Sequence, residues 1–214
     1  MDFETLEDEP NIRRANNNMN LCSTLSVFKK ININKLSMIP RIIGLLGRSR
    51  AGKDTIAEFI CNNHPEYQII RLSYSLKKAV CCLYDYTMDQ VESSSKEVID
   101  PRWNKTPRET IQSLTNYMMS YMGNDFFTKK LFSAYDEGKY SDHIIIPDIR
   151  YAHDIVEIHR RGGIVIKVER PNNTIQHTFE DHIDMLPGTT TIINDKGIDD
   201  LHLKIKDVLQ SNRR

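Results

Sequence analysis

The chain has 214 residues, in which 29 lysines and arginines balance 29 aspartates and glutamates. This length suits one α/β domain with a buried core and a tail, and the zero net charge gives no reason to expect nucleic acid as a partner. The four cysteines (Cys22, Cys61, Cys81, Cys82) have neither C-x-x-C nor metal-ligand spacing, so neither a disulfide framework nor a cysteine metal site is expected.

Residues 1–38 differ from the rest. Asp2 to Pro10 is acidic and Asn16-Asn17-Asn18 is turn-prone, so low apolar density predicts a flexible extension. Leu21 to Leu36 is more apolar, which leaves room for a short arm or a protein partner of the extension. An acidic start is unlike a secretory signal, and no apolar run approaches the roughly 18 residues of a membrane span. The expected location is therefore cytoplasmic, without membrane attachment. The Asn- and Ile-rich composition fits an AT-rich genome such as that of a large DNA virus.

A first strand is predicted over Arg41–Leu46, and it empties into Gly47-Arg48-Ser49-Arg50-Ala51-Gly52-Lys53-Asp54-Thr55. In a Gly-x-x-x-x-Gly-Lys loop, successive backbone N–H groups turn inward around phosphate and the lysine reaches the outer phosphates. The helix that follows, to about Asn62, adds the positive end of its dipole. The usual Mg²⁺-binding Ser or Thr is displaced by one place, with Asp54 first and Thr55 next.

A second strand is predicted over Tyr67–Leu72, then a helix over Ser75–Tyr86 with Leu76, Ala79, Val80 and Leu83 on one face. Residues 87–105 read as polar and irregular, and Trp103 with Tyr84 and Tyr86 as a satellite aromatic cluster. Thr106 should cap a helix opened by Pro107, with Glu109 completing a capping box. That helix runs towards Met122, with Met118, Met119 and Met122 as core filler, and Gly123-Asn124 breaks it. A further helix runs from Asp125 to near Gly138, and His143–Ile146 is a short apolar strand buried on both faces. Helix His153–Arg161, strand Ile164–Glu169, a loop-rich 170–188, strand Thr189–Ile193 and helix Ile198–Ser211 complete the chain. Alternating strands and helices predict an α/β fold: a doubly wound, five-stranded parallel sheet.

Ile144-Ile145-Ile146-Pro147-Asp148-Ile149-Arg150 is the second informative segment. Ligands gather at the carboxyl ends of parallel strands, and an acidic residue there can serve Mg²⁺. Asp148 suits that task, the plain alternative being a helix N-terminal aspartate. Arg150 shares the strand end and offers a planar donor for phosphate oxygens.

From Ile42 to Leu209 the chain resembles the deoxynucleoside monophosphate kinases of bacteriophages and DNA viruses, within the P-loop kinase superfamily. The resemblance rests on ordered segments: GRSRAGKDTIAEFI from Gly47; Arg71-Leu72-Ser73-Tyr74-Ser75-Leu76-Lys77; Thr106-Pro107-Arg108 followed by Gln112; and IIIPDIR followed by Gly162-Gly163. Glu169-Arg170-Pro171, His177-x-x-Glu180 and Ile193-Asn194-Asp195 follow in order. Related phosphomevalonate kinases share the Gly-Lys-Asp loop and the Asp-x-Arg pair.

The resemblance implies ATP with Mg²⁺ as donor and a nucleoside monophosphate as acceptor. Lys53 would hold the outer phosphates, and Arg150 and Arg170 the transferring group or the acceptor phosphate. Ser73, Lys77, Arg108 and Gln112 would form the acceptor site. Asp54 or Thr55, with Asp148, would meet the metal. Arg170 to Pro187 lies where related kinases carry a mobile lid. The plain alternatives are surface positions for Arg108, Lys77 and Arg170. His177, Glu180 and His182 together read poorly as a metal site, having no cysteine and no helical i, i+4 histidine pair. Pro147 replaces the family's usual small residue, restricting the backbone before Asp148, and the extension has no counterpart. Two rival readings remain, a non-catalytic nucleotide-binding module acting through protein partners and a phosphomevalonate kinase-like enzyme. A homodimer is also left open.

Overall fold

The structure is a computed structural model and describes residues 39–171 and 178–212. The predicted extension 1–38 and His177 lie outside the described residues.

Five strands form one parallel sheet: β1 (Ile42–Leu46), β2 (Tyr67–Ile69), β3 (His143–Ile149), β4 (Ile164–Glu169) and β5 (Thr190–Ile193). Their order is β2-β3-β1-β4-β5. The chain winds to one side of β1 and then to the other, so β1 is the switch point where an open α/β sheet binds its ligand. All five residues of β1 are buried, as both of its faces are covered.

Alternation along β1 feeds two cores. Ile43 and Leu45 pack with Ile56 and Ile60 of α1 (Lys53–Asn63) and with Leu201, Ile205 and Leu209 of α7 (Ile198–Ser211). Ile42 and Leu46 face the other way, onto Leu131 and Phe132 of α5 (Phe126–Asp136) and Ile155 and Ile158 of α6 (Ala152–Arg160). A doubly wound sheet follows from this period-2 division.

β3 runs three residues beyond its predicted end, through Pro147 and Asp148. Ile146 pairs with Gly44 but Ile149 pairs with Leu46, so β3 holds one residue more than β1 across that interval. This is a β-bulge, which tolerates a proline inside a central strand because the extra residue needs no ladder hydrogen bond.

β2 stops at Ile69, short of its predicted end at Leu72. The Leu72 and Ser73 N–H groups turn away to the Asp148 carboxylate at 2.9 Å each, which ends the pairing with β3. α2 spans Tyr74–Tyr84 and ends at Asp85, whose left-handed φ of 53° stops the helix. Its buried stripe is Leu76 and Val80; Ala79 is exposed and Leu83 is 64% exposed, because no layer among the described residues covers the outer side of the predicted face.

The segment expected to be irregular contains α3 (Met88–Glu92), capped by a Thr87/Gln90 capping box, and a 3₁₀ turn at Ser94–Glu97. Thr87-x-x-Gln90 is a readable signal for this helix start. α4 (Pro107–Met122) begins with the predicted Thr106/Glu109 capping box. Only Pro107 and Thr110 are buried on it, and Met122 is half exposed, so α4 walls a cleft rather than filling a core. Val80, Tyr86 and Val91 form a small cluster where α2, α3 and α4 meet, with Tyr84 stacked on Tyr86 and Trp103 edge-on to Tyr84.

Candidate active site

The loop after β1 has a backbone that few residues tolerate. Gly47 takes φ +151°, where a Cβ would lie 2.3 Å from the Val168 carbonyl oxygen, and Gly52 takes φ +107°. Arg50 between them adopts φ 59°, a left-handed conformation unusual for a non-glycine residue and characteristic of functional loops. Asn194, at the end of β5, donates its side-chain amide to the Ala51 carbonyl at 2.9 Å and pins the loop from outside.

Lys53 opens α1 and folds back along the loop. Its Nζ donates to the Gly47 carbonyl at 2.6 Å and to the Arg48 carbonyl at 2.7 Å. Burial, reinforced by the nearby Arg150 charge, lowers its pKa from 10.5 to about 8. A cation so placed is poised for an anion.

The bulge in β3 delivers Asp148 and Arg150 to the same end of the sheet. Both Asp148 oxygens bond the β2–α2 connection, at Leu72 N, Ser73 N and Ser73 Oγ (2.7 Å to Oγ). Arg150 donates Nη1 to Glu180 at 2.9 Å. The backbone N–H groups of Arg150 and Tyr151 are held by buried Asp154, at 3.1 and 3.0 Å.

A cleft of about 520 Å³ opens in front of these residues. From the loop it takes Ser49, Arg50, Lys53 and Asp54, and from β3 and the residue just past its end Asp148 and Arg150. Ser73, Lys77, Arg108 and Gln112 complete it from the helical side. A second pocket of about 450 Å³ shares Arg50, Lys53 and Asp54 with the cleft and adds Gly52, Thr55 and Arg170. Its far wall is Asn194 and the start of α7. Gly47, Arg48 and Ala51 face neither space; with Arg170 they line a third pocket beside β4. Lys53 thus stands where two chambers meet, the arrangement needed to pass a group between two bound molecules.

Carboxylates hold most of the cations in the cleft. Arg108 pairs with Glu97 at 2.6 Å, Lys77 with Glu92 at 3.5 Å, and Asp54 with Arg71 at 2.7 Å. Lys96 was not anticipated from the sequence. The 3₁₀ turn brings it into the cleft wall, where no carboxylate among the described residues pairs with it. Burial, then repulsion from Arg108 and Lys77, lowers its pKa. Glu180, which the sequence offers only as the end of His177-x-x-Glu180, is 1% exposed and accepts the Ser49 N–H of the loop at 2.9 Å. His182 places a ring nitrogen 2.8 Å from the Arg150 carbonyl oxygen and stacks on Tyr151.

The donor set also bears on a metal. Among the described residues no three His, Cys, Asp or Glu side chains cluster as a metal cage. Asp54 is largely exposed, and Thr55 stands beside it in the first turn of α1. One or two oxygens at the foot of a phosphate loop fit Mg²⁺, which keeps several waters and shares the phosphates of its substrate.

A parallel α/β sheet with a glycine–lysine phosphate loop at its central strand, facing a cationic cleft, defines the P-loop kinase class. Residues 92–205, which are 114 of the 214, match the family model described as deoxynucleotide monophosphate kinase, and the chain belongs to that family. The match begins beyond the loop, so the loop counts as separate evidence. A protein of Acanthamoeba polyphaga mimivirus, provisionally named a deoxynucleotide monophosphate kinase, is 26% identical over 183 residues, covering 77% of this chain and 93% of the relative. Among solved structures, shikimate kinase from Aquifex aeolicus aligns at 12% identity with a TM-score of 0.45, covering 80% of this chain and 97% of that one. Dephospho-CoA kinase from Campylobacter jejuni aligns at 11% identity and 0.44, covering 82% and 99%. No helix among the described residues is long and apolar enough to cross a membrane.

Proposed function

We propose that the kinase domain, residues 39–214, transfers the γ-phosphoryl group of ATP to a deoxynucleoside monophosphate. The observation that carries this reading is the single cleft joining Lys53, Asp148 and Arg150 to Ser73, Lys77, Arg108 and Gln112. The donor triphosphate would lie in the loop, with its nucleoside in the pocket that Asn194, Ile198 and Leu201 help to line. The acceptor would lie in the cleft, its phosphate among Lys77, Lys96, Arg108 and Arg150 and its base along α4.

The chemistry joins two anions, so the residues must first bring like charges together. Lys53 and Arg150 would neutralise charge on the moving group and on the oxygen it leaves, and Arg170 can reach the same region from the donor pocket. An acceptor phosphate oxygen makes the new P–O bond while the β–γ bridging bond breaks, its electron pair staying on the β-phosphate. The acceptor oxygen is already anionic, so no side-chain base is needed. Asp148 would act by holding Ser73 and the β2–α2 turn against the acceptor, and also through water towards a metal. Asp54 or Thr55 would hold Mg²⁺, which when bound shields phosphate charge and orients the donor.

The test is a coupled assay of the purified full chain with ATP, Mg²⁺ and each of the four deoxynucleoside monophosphates in turn. Turnover of at least one, lost in Lys53→Ala with the fold intact by circular dichroism, is the expected result. A folded protein that binds ATP yet phosphorylates none of the four would overturn this reading in favour of a non-catalytic module or another acceptor.

A further inference from the structure

The buried carboxylate of Glu180 has no part in the chemistry set out above, yet it touches two of the groups that do. Its Oε2 accepts the Ser49 N–H of the phosphate loop and its Oε1 accepts Nη1 of Arg150, both at 2.9 Å. Ser49 and Arg150 line the cleft, whereas Glu180 does not and is only 1% exposed. It therefore stands behind them, out of reach of a substrate. We infer that Glu180 is a positioning residue for phosphoryl transfer: it fixes the Arg150 guanidinium and the Ser49 amide together, and so makes the contacts of its own 3₁₀ turn, Thr178–Met185, a condition of activity. The inference rests on the function proposed above.

Three observations support it. Burial alone would raise the Glu180 carboxyl, but the Ser49 amide, Arg150 and Lys53 outweigh it and hold the group below its ordinary range. Glu180 thus stays ionised and keeps both bonds. Breaking a buried ion pair leaves an uncompensated charge, while replacing the whole pair by apolar groups is often harmless, so such a pair is weak evidence of a purely stabilising role. The same segment is also anchored at further points on the site. Asp184 pairs with Arg48 at 2.8 Å, and its carbonyl accepts Lys167 Nζ at 2.7 Å. His182 contacts the Arg150 carbonyl. A long, partly exposed arginine gains a fixed direction only from such a partner, and small errors of placement cost rate steeply.

The experiment measures steady-state kinetics and melting temperature of Glu180→Gln, Arg150→Ala and the double variant in the full chain. Glutamine keeps the shape and an acceptor for Ser49 but loses the ion pair. Glu180→Gln should lower kcat about 10- to 100-fold, with the ATP KM changed by less than about 3-fold. In the Arg150→Ala background the same substitution should cost less than about 2-fold, because the group it positions is gone. A wild-type kcat in Glu180→Gln, or an equal loss in both backgrounds, overturns the inference while leaving the kinase reading in place. Wild-type protein that phosphorylates no monophosphate overturns both. Should Glu180→Gln fail to fold, Asp184→Asn carries the test from the exposed end of the segment. A kcat lowered about 3-fold or more at unchanged melting temperature supports the inference, and an unchanged kcat overturns it.

Discussion

Nucleotide binding should take up a proton at Lys53. Burial and Arg150 hold its pKa at about 8, against an ordinary 10.5. The gap of about 2.5 units corresponds to roughly 3 kcal/mol by which the folded, ligand-free protein disfavours the charged lysine. For a lysine of depressed pKa the unfolded chain binds more protons, so this penalty is fully present below pH 8 and is relieved as pH rises through 8 towards 10.5. A polyanion beside Nζ removes the penalty by restoring the lysine to its ordinary range. Near pH 8 half of the ligand-free protein is then neutral at Lys53, and binding draws about 0.5 proton from solution. Affinity should fall by about tenfold between pH 7 and pH 9 on the same grounds. The final ionisation of a phosphate, near pH 6, is about nine-tenths complete at pH 7 and changes the affinity across that window too little to mask the effect.

Isothermal titration calorimetry in buffers of different ionisation enthalpy reads the proton count directly. ATP without acceptor is the ligand, and Lys53→Met is the control expected to take up no proton. Uptake below about 0.1 proton at pH 8 in the wild type would refute the reasoning. It would mean either that Lys53 is solvated in the free protein or that phosphate does not reach it.

Two further outcomes test other parts of the site. Lys96→Gln should raise the KM for the monophosphate about tenfold or more, the worth of one charge-assisted hydrogen bond, while the ATP KM stays constant. An unchanged monophosphate KM would remove Lys96 from the acceptor site. Asp154→Ala would strand the buried Thr128 hydroxyl and leave the Arg150 and Tyr151 amides without their acceptor. A loss of roughly 3 kcal/mol follows, seen in urea unfolding as a lower midpoint at constant slope.

The local signals were legible. Gly47 and Gly52 mark positive-φ positions, Thr106 and Glu109 mark a helix start, and unbroken isoleucines mark strands covered on both faces. Ser73, Lys77, Arg108 and Gln112, which ordered short motifs assign to an acceptor site, share one cleft in the structure. What escaped depends on contacts distant in sequence. Glu180 meets Ser49 across 131 residues, and no pattern near either residue announces the other. Lys96 escaped differently. Its 3₁₀ turn has no hydrophobic period, so a polar stretch concealed a residue that tertiary packing turns inward. Ala79 and Leu83 failed in the opposite sense, because a periodic stripe states which residues could be buried and not whether a neighbouring layer exists.

Pro147 shows how one departure from a family pattern is accommodated and then used. Ile144 and Ile146 belong to the core beneath α5 and α6, while Ile145 belongs to the opposite one. Strict alternation would send Asp148 after Ile146 into that first apolar layer, burying a carboxylate without partners, and would send Ile149 to the other side. Ile149 is instead found in the first core and pairs with Leu46. The extra residue has reversed the parity of the strand. Asp148 is thereby released to the strand end, where the Leu72 and Ser73 amides receive it, and Arg150 follows at the mouth of the cleft. Proline suits that position because it lacks the N–H that a regular ladder would require. The restriction it places on the preceding backbone is thus compatible with the site, and the bulge is what aims the carboxylate.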